Sequence, residues 1–187
     1  MAISNNMIIS LTGFMGCGKS SVGRKLSQLL CCPFMDLDAV IEARIGRSIA
    51  DIFAHDGETE FRRIEKETLS DIISAHAQDT SIPANTTLVL ALGGGAVLTP
   101  ECEKLVHEQT KCIYLRTSVK ELVARLTDES AGRPLLASSD LKTRIETLMS
   151  LRMETYARTA HLIIDTDSKT IEEVGKEIIT RMATCKP

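Results

Sequence analysis

A glycine-rich segment near the amino terminus has the spacing of a phosphate-binding loop. The segment is Gly13–Ser20, GFMGCGKS, and it fits the pattern G-x-x-x-x-G-K-[S/T]. Its glycines let the backbone turn so that amide groups point inward at phosphate oxygens. The ammonium of Lys19 can reach the outer phosphates of a nucleotide, and the hydroxyl of Ser20 is placed to bind Mg²⁺. A turn that only joined a strand to a helix would not need a lysine followed by a serine, so the spacing predicts nucleotide binding.

Two carboxylates, Asp36 and Asp38, stand two residues apart after the second apolar run of the sequence. A phosphate loop alone does not separate a kinase from a GTPase or a motor. The third apolar run ends without the acidic residue that anchors the metal in many such proteins, and no N-K-x-D guanine motif is present. Two interpretations of the acidic pair stay open. The carboxylates either bind ligands in the crevice above a sheet, or they stabilise the start of a helix through its dipole.

Three consecutive glycines, Gly93–Gly95, follow the third apolar run. Such a row is tolerated where a chain must approach another group closely. The glycines form either a tight turn or a set of amide donors that face a small substrate.

Three arginines are candidate anion ligands. Arg62 and Arg152 lie in segments of helical period, where most arginines are solvated or paired, so position alone does not identify them as ligands. Arg133 precedes Pro134 in a polar segment, and from there its guanidinium could clamp a phosphoryl group during transfer.

Five short apolar runs must position these groups. Each is rich in Ile, Val and Leu and does not alternate with polar residues, as expected for strands that are buried on both faces. The runs are Met7–Leu11, Cys32–Met35, Thr87–Leu92, Cys112–Leu115 and His161–Asp165. Amphipathic segments lie between them. This alternation predicts a three-layer α/β fold with a five-stranded parallel sheet and helices on both faces.

Local signals mark the starts of several helices. The patterns SVKE at 118–121 and TIEE at 170–173 are capping boxes, and TP at 99–100 places a cap before a proline at the first helical position. The polar stretch Thr127–Ser139 fits neither element type. Long loops in compact domains are often functional, so we predict a mobile lid there.

Composition excludes several classes of protein. The chain has 187 residues, 43% of them apolar and 25% charged, which corresponds to one domain over 1–187. Its formal net charge of −3 argues against a nucleic-acid partner. No apolar run approaches the roughly 18 residues that span a bilayer, and the start lacks the positive charge of a signal peptide. The six cysteines form no C-x-x-C pair and are interpreted as reduced thiols, so we expect a cytoplasmic monomer without a membrane partner.

Five blocks of sequence, taken together and in order, resemble shikimate kinase, a P-loop kinase of the nucleoside monophosphate kinase type. The blocks are GFMGCGKSSVGRKL, FMDLD, DGETEFRRIE, LALGGG and GRPLL, and the resemblance extends over about 7–166. The family usually has Arg-x-Pro-Leu-Tyr in a late helix, whereas this chain has Arg152-Met-Glu-Thr-Tyr156. The arginine and the tyrosine keep their spacing.

The resemblance implies ATP and Mg²⁺ as cofactors and a set of site residues. The catalytic residues would be Lys19, Asp38 and Arg133. The nucleotide would be bound by Gly16, Cys17, Gly18, Lys19, Ser20, Ser21, Arg125, Arg133 and Lys169. The substrate would be bound by Asp38, Arg62, Gly93, Gly94, Gly95 and Arg152, and the metal by Ser20 and Asp36. In the family the two arginines clamp the substrate carboxylate, a helical region at about 37–75 binds the substrate, and the lid, at about 127–139, closes over the nucleotide.

The resemblance therefore implies an enzyme that transfers phosphate from ATP to the 3-hydroxyl of shikimate, a step toward chorismate and the aromatic amino acids. Two alternatives stay open. A gluconate kinase shares the phosphate loop, but the triple glycine and the Asp-x-Asp pattern argue against it. A catalytically silent nucleotide-binding regulator would be expected to lack Lys19, Asp38 or one of the arginines, and this sequence has all of them.

Overall fold

A five-stranded parallel sheet forms the centre of the structure, a computed structural model that describes residues 6–78, 86–129 and 141–184. Within these residues the strands are β1 (Met7–Thr12), β2 (Phe34–Asp36), β3 (Thr87–Ala91), β4 (Lys111–Arg116) and β5 (Leu162–Asp165). Their order in space is β2-β3-β1-β4-β5, and each neighbouring pair is parallel. The predicted sheet is confirmed, although β2 begins and ends later than the predicted Cys32–Met35.

Eight helices of the described residues flank the sheet. They are α1 (Lys19–Leu30), α2 (Leu37–Ile45), α3 (Ile49–His55), α4 (Gly57–Gln78), α5 (Pro100–Gln109), α6 (Val119–Glu129), α7 (Leu141–Thr159) and α8 (Ile171–Thr184). Helices α1 and α8 pack together on one face of the sheet, and α4, α5 and α7 form the layer on the other face. The predicted three-layer α/β fold is therefore confirmed.

The central strands are buried on both faces, which explains why their apolar runs do not alternate with polar residues. Ile9, Leu11, Val89 and Ile113 are fully buried. Burying each side chain of this kind contributes about 1.5–3 kcal/mol of transfer free energy. The sheet is thus a rigid support for the segments that leave its ends.

One predicted capping box is complete and the other is divided. The backbone N–H of Thr170 donates to the Glu173 carboxylate (2.8 Å), and the N–H of Glu173 donates back to the Thr170 hydroxyl (3.2 Å). At the start of α6, the N–H of Glu121 donates to the Ser118 hydroxyl (3.3 Å), but the Ser118 N–H donates to a carboxylate beyond β5. The Glu121 carboxylate instead pairs with Arg125 (3.0 Å).

The predicted lid begins too early, because residues 127–129 continue helix α6. Residues 130–140 lie outside the described part of the chain, and Arg133 lies there with them. The closure of a lid and the phosphate contact of Arg133 stay predictions.

The described cysteines, Cys17, Cys31, Cys32, Cys102 and Cys112, are all free thiols. Among the described residues, no helix combines the length and the apolar character that crossing a membrane requires.

Candidate active site

Predicted site residues from four segments of the described chain lie at one edge of the sheet, where the strands end. The phosphate loop follows β1, Asp36 and Asp38 lie at the end of β2, Gly93–Gly95 follow β3, and Lys169 follows β5. Because all carboxyl ends of a parallel sheet share one edge, the fold brings together groups that are far apart in sequence.

The phosphate loop holds its lysine over its own carbonyl groups. The Lys19 ammonium donates to the carbonyl oxygens of Gly13 (2.9 Å) and Phe14 (3.0 Å). Helix α1 starts after Gly18, which has a φ of 96°, and no side chain caps it. The amide groups of its first turn are therefore left for an anion. A phosphate bound in this loop would contact both the Lys19 ammonium and the free amide groups at the start of α1.

Two predicted phosphate contacts in this loop have structural roles. Gly16 has a φ of 78°, and a Cβ at this position would lie 2.7 Å from Cδ2 of Leu126. The backbone N–H of Cys17 donates to the Phe14 carbonyl (3.2 Å), and the cysteine is buried. The Cys17 amide, expected to face phosphate, is thus engaged inside the loop.

The helix-start interpretation of Asp36 is confirmed, and its ligand-binding interpretation stays a prediction. Its carboxylate accepts the backbone N–H of Asp38 (3.1 Å) and so caps helix α2. Its second oxygen accepts the Ser20 hydroxyl (2.5 Å). A hydroxyl beside a carboxylate offers the oxygen ligands that Mg²⁺ prefers. These two residues fit a magnesium site.

The three glycines form a shelf against which charged side chains lie; we call Gly93–Gly95 the glycine shelf. A Cβ at its first position would lie 2.7 Å from Oδ1 of Asp38 and 2.8 Å from Oε1 of Glu65. A Cβ at its third position would lie 2.4 Å from a guanidinium nitrogen of Arg62. These three side chains approach the turn closely because neither position carries a Cβ, and a Cβ there would displace them.

Glu65 is a site residue that sequence reasoning missed. It is 2% exposed, and one of its oxygens is 2.7 Å from the guanidinium of Arg62. Its other oxygen is buried without a hydrogen-bond partner in the described residues. Burial raises the pKa of Glu65, although the Arg62 charge opposes this. The spacing i, i+3 on one helix was a signal for the pair.

Asp38 combines burial with charged neighbours. Burial raises the pKa of this carboxyl, and the nearby carboxylate of Asp36 raises it further. The ammonium of Lys19 and the guanidinium of Arg62 lower it. A carboxyl tuned upward in this way is suited to accept a hydrogen bond, or a proton, from a hydroxyl group.

Helix α7 brings a second arginine to the phosphate loop. The guanidinium carbon of Arg152 is 5.9 Å from the ring centroid of Phe14. One turn later, the fully buried Tyr156 donates its hydroxyl to the carbonyl of Gly94. Helix α7 therefore contacts both the phosphate loop and the glycine shelf.

A cavity of about 610 Å³ adjoins the phosphate loop, and two cations at its edge are held by ion pairs. Six of the predicted nucleotide ligands line it, namely Gly16, Cys17, Gly18, Ser21, Arg125 and Lys169. Arg125 pairs with Glu121 (3.0 Å), and Lys169 pairs with Glu177 (2.6 Å). These two glutamates were not predicted as part of the site.

Comparison with known proteins identifies a family. The family model described as shikimate kinase matches residues 15–183. The shikimate kinase of Thermus thermophilus is 39% identical over 174 residues, which cover 93% of this chain and 89% of that protein. The structure of the Acinetobacter baumannii shikimate kinase in complex with shikimate matches with a TM-score of 0.86 and 30% identity, covering 99% of this chain and 97% of that one.

A gluconokinase from Sinorhizobium meliloti also matches, with a TM-score of 0.60 and 16% identity, over 95% of this chain and 92% of that one. At this identity the likeness is one of fold alone. The predicted gluconate kinase alternative thus shares the architecture of this chain, while the family match is to shikimate kinase.

Proposed function

The chain belongs to the shikimate kinase family, and we propose that it transfers the γ-phosphoryl group of ATP to the 3-hydroxyl of shikimate, with Mg²⁺ held by Ser20 and Asp36. The chain is an enzyme, an ATP-using kinase. The observation that carries the acceptor assignment is the glycine shelf, where Arg62 and Asp38 lie against one turn. A guanidinium and a carboxylate so placed match an acceptor that has both a carboxylate and hydroxyl groups.

The nucleotide end of the proposed site supplies positive charge. Phosphoryl transfer depends mainly on positioning and on neutralising the charge of the transferred group. In our proposal the Lys19 ammonium leaves the loop carbonyls that it contacts, 2.9 and 3.0 Å away, and binds the β- and γ-phosphates. The uncapped first turn of α1 binds the same anion. The predicted closure by Arg133 would add a further charge.

The positive charge of a bound Mg²⁺ would neutralise part of the phosphate charge during transfer. The residues of this chain that would hold it are Ser20 and Asp36, whose oxygens are 2.5 Å apart. The other oxygen of Asp36, Oδ1, accepts the amide N–H of Asp38, which fixes the orientation of the carboxylate.

The acceptor end is proposed to bind the carboxylate of shikimate through Arg62 and Arg152. Arg62 has a planar set of donors, one of which is occupied by Glu65 and another by Glu58 (3.1 Å). The ion pair with Glu58 is exposed, so a substrate carboxylate can replace it at a small cost in free energy. Glu65 is buried and holds the guanidinium against the shelf. We infer that the substrate carboxylate takes the exposed side of Arg62.

Asp38 is proposed to orient the attacking hydroxyl and to accept its proton. Its carboxylate lies against the first glycine of the shelf, on the same turn as Arg62. Because its pKa is raised by burial, the carboxylate holds a proton more strongly than an exposed aspartate does.

The test is an assay of ADP release by the purified chain with ATP and Mg²⁺, and with shikimate, gluconate or no acceptor. We expect release that depends on shikimate, and phosphorus NMR of the product should identify the 3-phosphate. Equal release with gluconate would contradict the acceptor assignment. Equal release without an acceptor would reduce the activity to ATP hydrolysis.

The remaining expectations are part of the same proposal. We propose a single domain over 1–187 that works as a cytoplasmic monomer, with the helical region at about 37–75 binding the substrate. Helices α2, α3 and α4 form most of this region, and Asp38, Arg62 and Glu65 belong to it. Size-exclusion chromatography coupled to light scattering tests the monomer.

A further inference from the structure

The glycine shelf contains a β-turn whose central peptide has two accessible orientations. The N–H of Ala96 donates to the carbonyl of Gly93 (3.1 Å), which makes Gly94 and Gly95 the central residues. Neither has a positive φ, as in a type I turn. A type II turn has the central peptide reversed and a positive φ at its third residue, which glycine adopts without steric cost. The turn itself therefore determines the orientation of the Gly94–Gly95 peptide only weakly.

A side chain from another layer of the fold holds this peptide. The hydroxyl of Tyr156 on α7 donates to the carbonyl of Gly94, 62 residues earlier in the chain. In a trans peptide the C=O and the following N–H point in opposite directions, and the described residues contain no cis peptide. The bond that turns the Gly94 carbonyl toward Tyr156 thus turns the Gly95 N–H away from it.

The orientation of this peptide affects binding because the shelf adjoins the proposed site of the negatively charged acceptor carboxylate. The Arg62 guanidinium lies 2.4 Å from the position of a Cβ on Gly95, so this part of the turn adjoins the proposed carboxylate site. A reversed peptide would replace the N–H donor by a carbonyl oxygen. An oxygen with partial negative charge would repel a carboxylate where a donor attracts it.

We propose that the hydroxyl of Tyr156 is a positioning group that selects this orientation of the Gly94–Gly95 peptide and thereby aims an N–H at the carboxylate of the acceptor. The inference rests on the proposed function. Burial raises the pKa of Tyr156 to about 12, so the hydroxyl remains a hydrogen-bond donor throughout the neutral range.

The test is the variant Tyr156→Phe, with Tyr114→Phe as a matched control. These are the two tyrosines of the chain, both are buried, and their ring centroids are 5.3 Å apart. Each variant removes the hydroxyl of one buried tyrosine, but only the first loses the bond to Gly94. For Tyr156→Phe we expect the KM for shikimate to rise about tenfold, as for one lost hydrogen bond to a charged group, with the KM for ATP unchanged. Tyr114→Phe should change neither constant.

Two results would overturn the inference. One is a folded Tyr156→Phe enzyme that keeps its KM for shikimate, and the other is an equal rise of both constants, which would make the hydroxyl a support of the fold. Failure of the proposed function is distinct from both, since wild type would then release no ADP in response to shikimate.

If Tyr156→Phe does not fold, wild type labelled with fluorotyrosine gives two fluorine signals, which Tyr114→Phe assigns. We then expect saturating shikimate to shift the Tyr156 signal, and an unmoved signal would reject the proposal.

Discussion

At the scale of single residues, three charged side chains share one small volume because the glycines beside them have no Cβ. Glu65 is buried with one unpartnered oxygen and a raised pKa, which is an unfavourable state for a carboxylate. The buried Glu65 carboxylate pairs with Arg62 and so holds the guanidinium in a fixed position. A buried ion pair is weak evidence for stability, and here it serves placement.

For Asp38→Asn we expect a large loss of turnover with retained ATP binding. Asparagine fills the same space but cannot take a proton, so kcat should fall about 10²–10⁴-fold, the usual contribution of a positioned acid or base. Lys19 and Ser20 are unchanged, so nucleotide affinity should persist. Steady-state kinetics and calorimetric titration of ATP measure the two effects, and a fully active variant would remove Asp38 from the mechanism.

The same variant should be more stable than the parent at neutral pH. The pKa of Asp38 is raised in the folded state above the model-compound value of 3.8. The protonated carboxyl therefore favours folding below pH 3.8, and this contribution is lost as the pH rises through the folded-state pKa. Melting temperatures across pH should show Asp38→Asn above wild type at pH 7 and a difference that shrinks toward acid pH. A constant difference would contradict the raised pKa.

Arg62→Lys should separate acceptor binding from nucleotide binding. Lysine keeps the charge but replaces a planar fork by a point donor, and it cannot give the substrate carboxylate a bidentate pair of hydrogen bonds while it pairs with Glu65. The KM for shikimate should rise at least about tenfold, with little change in the KM for ATP. An equal rise of both values would show that Arg62 shapes the fold.

At the scale of elements, the site combines turns that follow the strands with side chains from helices. Each part of the site is held by a hydrogen bond or an ion pair to a neighbouring residue. The shelf is held by α7 through Tyr156, Arg62 is held within α4 by Glu65, and Asp36 caps α2 while it meets Ser20. A substitution in one of these turns should therefore reduce ligand affinity more than it reduces the stability of the fold.

Gly95→Ala tests this expectation, with Gly23→Ala as the contrast. A Cβ at Gly95 meets the far end of the flexible Arg62 side chain, which can move, whereas a Cβ at Gly23 on α1 would lie 2.5 Å from the ring of Phe34. We expect Gly95→Ala to melt near the parent temperature and to lose affinity for shikimate. Gly23→Ala should lower the melting temperature, because overpacking strain reduces the free energy of unfolding by about 1–3 kcal/mol. Equal melting temperatures would contradict the distinction.

At the scale of the whole molecule, an acidic chain binds two anions. The formal net charge is −3, so attraction depends on cations concentrated at one edge of the sheet. Lys19, Arg62, Arg125, Arg152 and Lys169 lie on segments that reach this edge or line the adjoining cavity.

Ligand-dependent melting tests this organisation. A ligand that binds only the folded state stabilises it by about 2.7 kcal/mol at a hundredfold excess over Kd. Shikimate and ATP should each raise the melting temperature, and gluconate should not. In Arg62→Lys the shift with shikimate should shrink while the shift with ATP persists. Loss of both shifts would locate the effect of Arg62 outside the acceptor site.

How much could be predicted from the sequence depends on the distance between the residues concerned. Strands and helix starts follow from periodicity and spacing over a few residues, and these were confirmed. The phosphate loop and the acidic pair follow from equally local spacing, and their ligands stay predictions. The predicted start of the lid at Thr127 was too early, because helix α6 continues to Glu129. The predicted capping box at Ser118 forms only in part, because the Ser118 N–H donates to a carboxylate after β5 and the Glu121 carboxylate pairs with Arg125.

The sequence by itself determined the α/β alternation, the loop chemistry and, through five ordered blocks, the family. The tertiary structure decided why glycines stand at positions 93 and 95, because Asp38, Glu65 and Arg62 approach these two positions from other elements. It also decided the partner of Tyr156, which joins positions 62 residues apart. Such contacts depend on the strand order β2-β3-β1-β4-β5 and on the packing of helices across it. The hydrophobic periodicity of a strand does not indicate its neighbours, because a buried strand shows the same apolar pattern in any order of a parallel sheet.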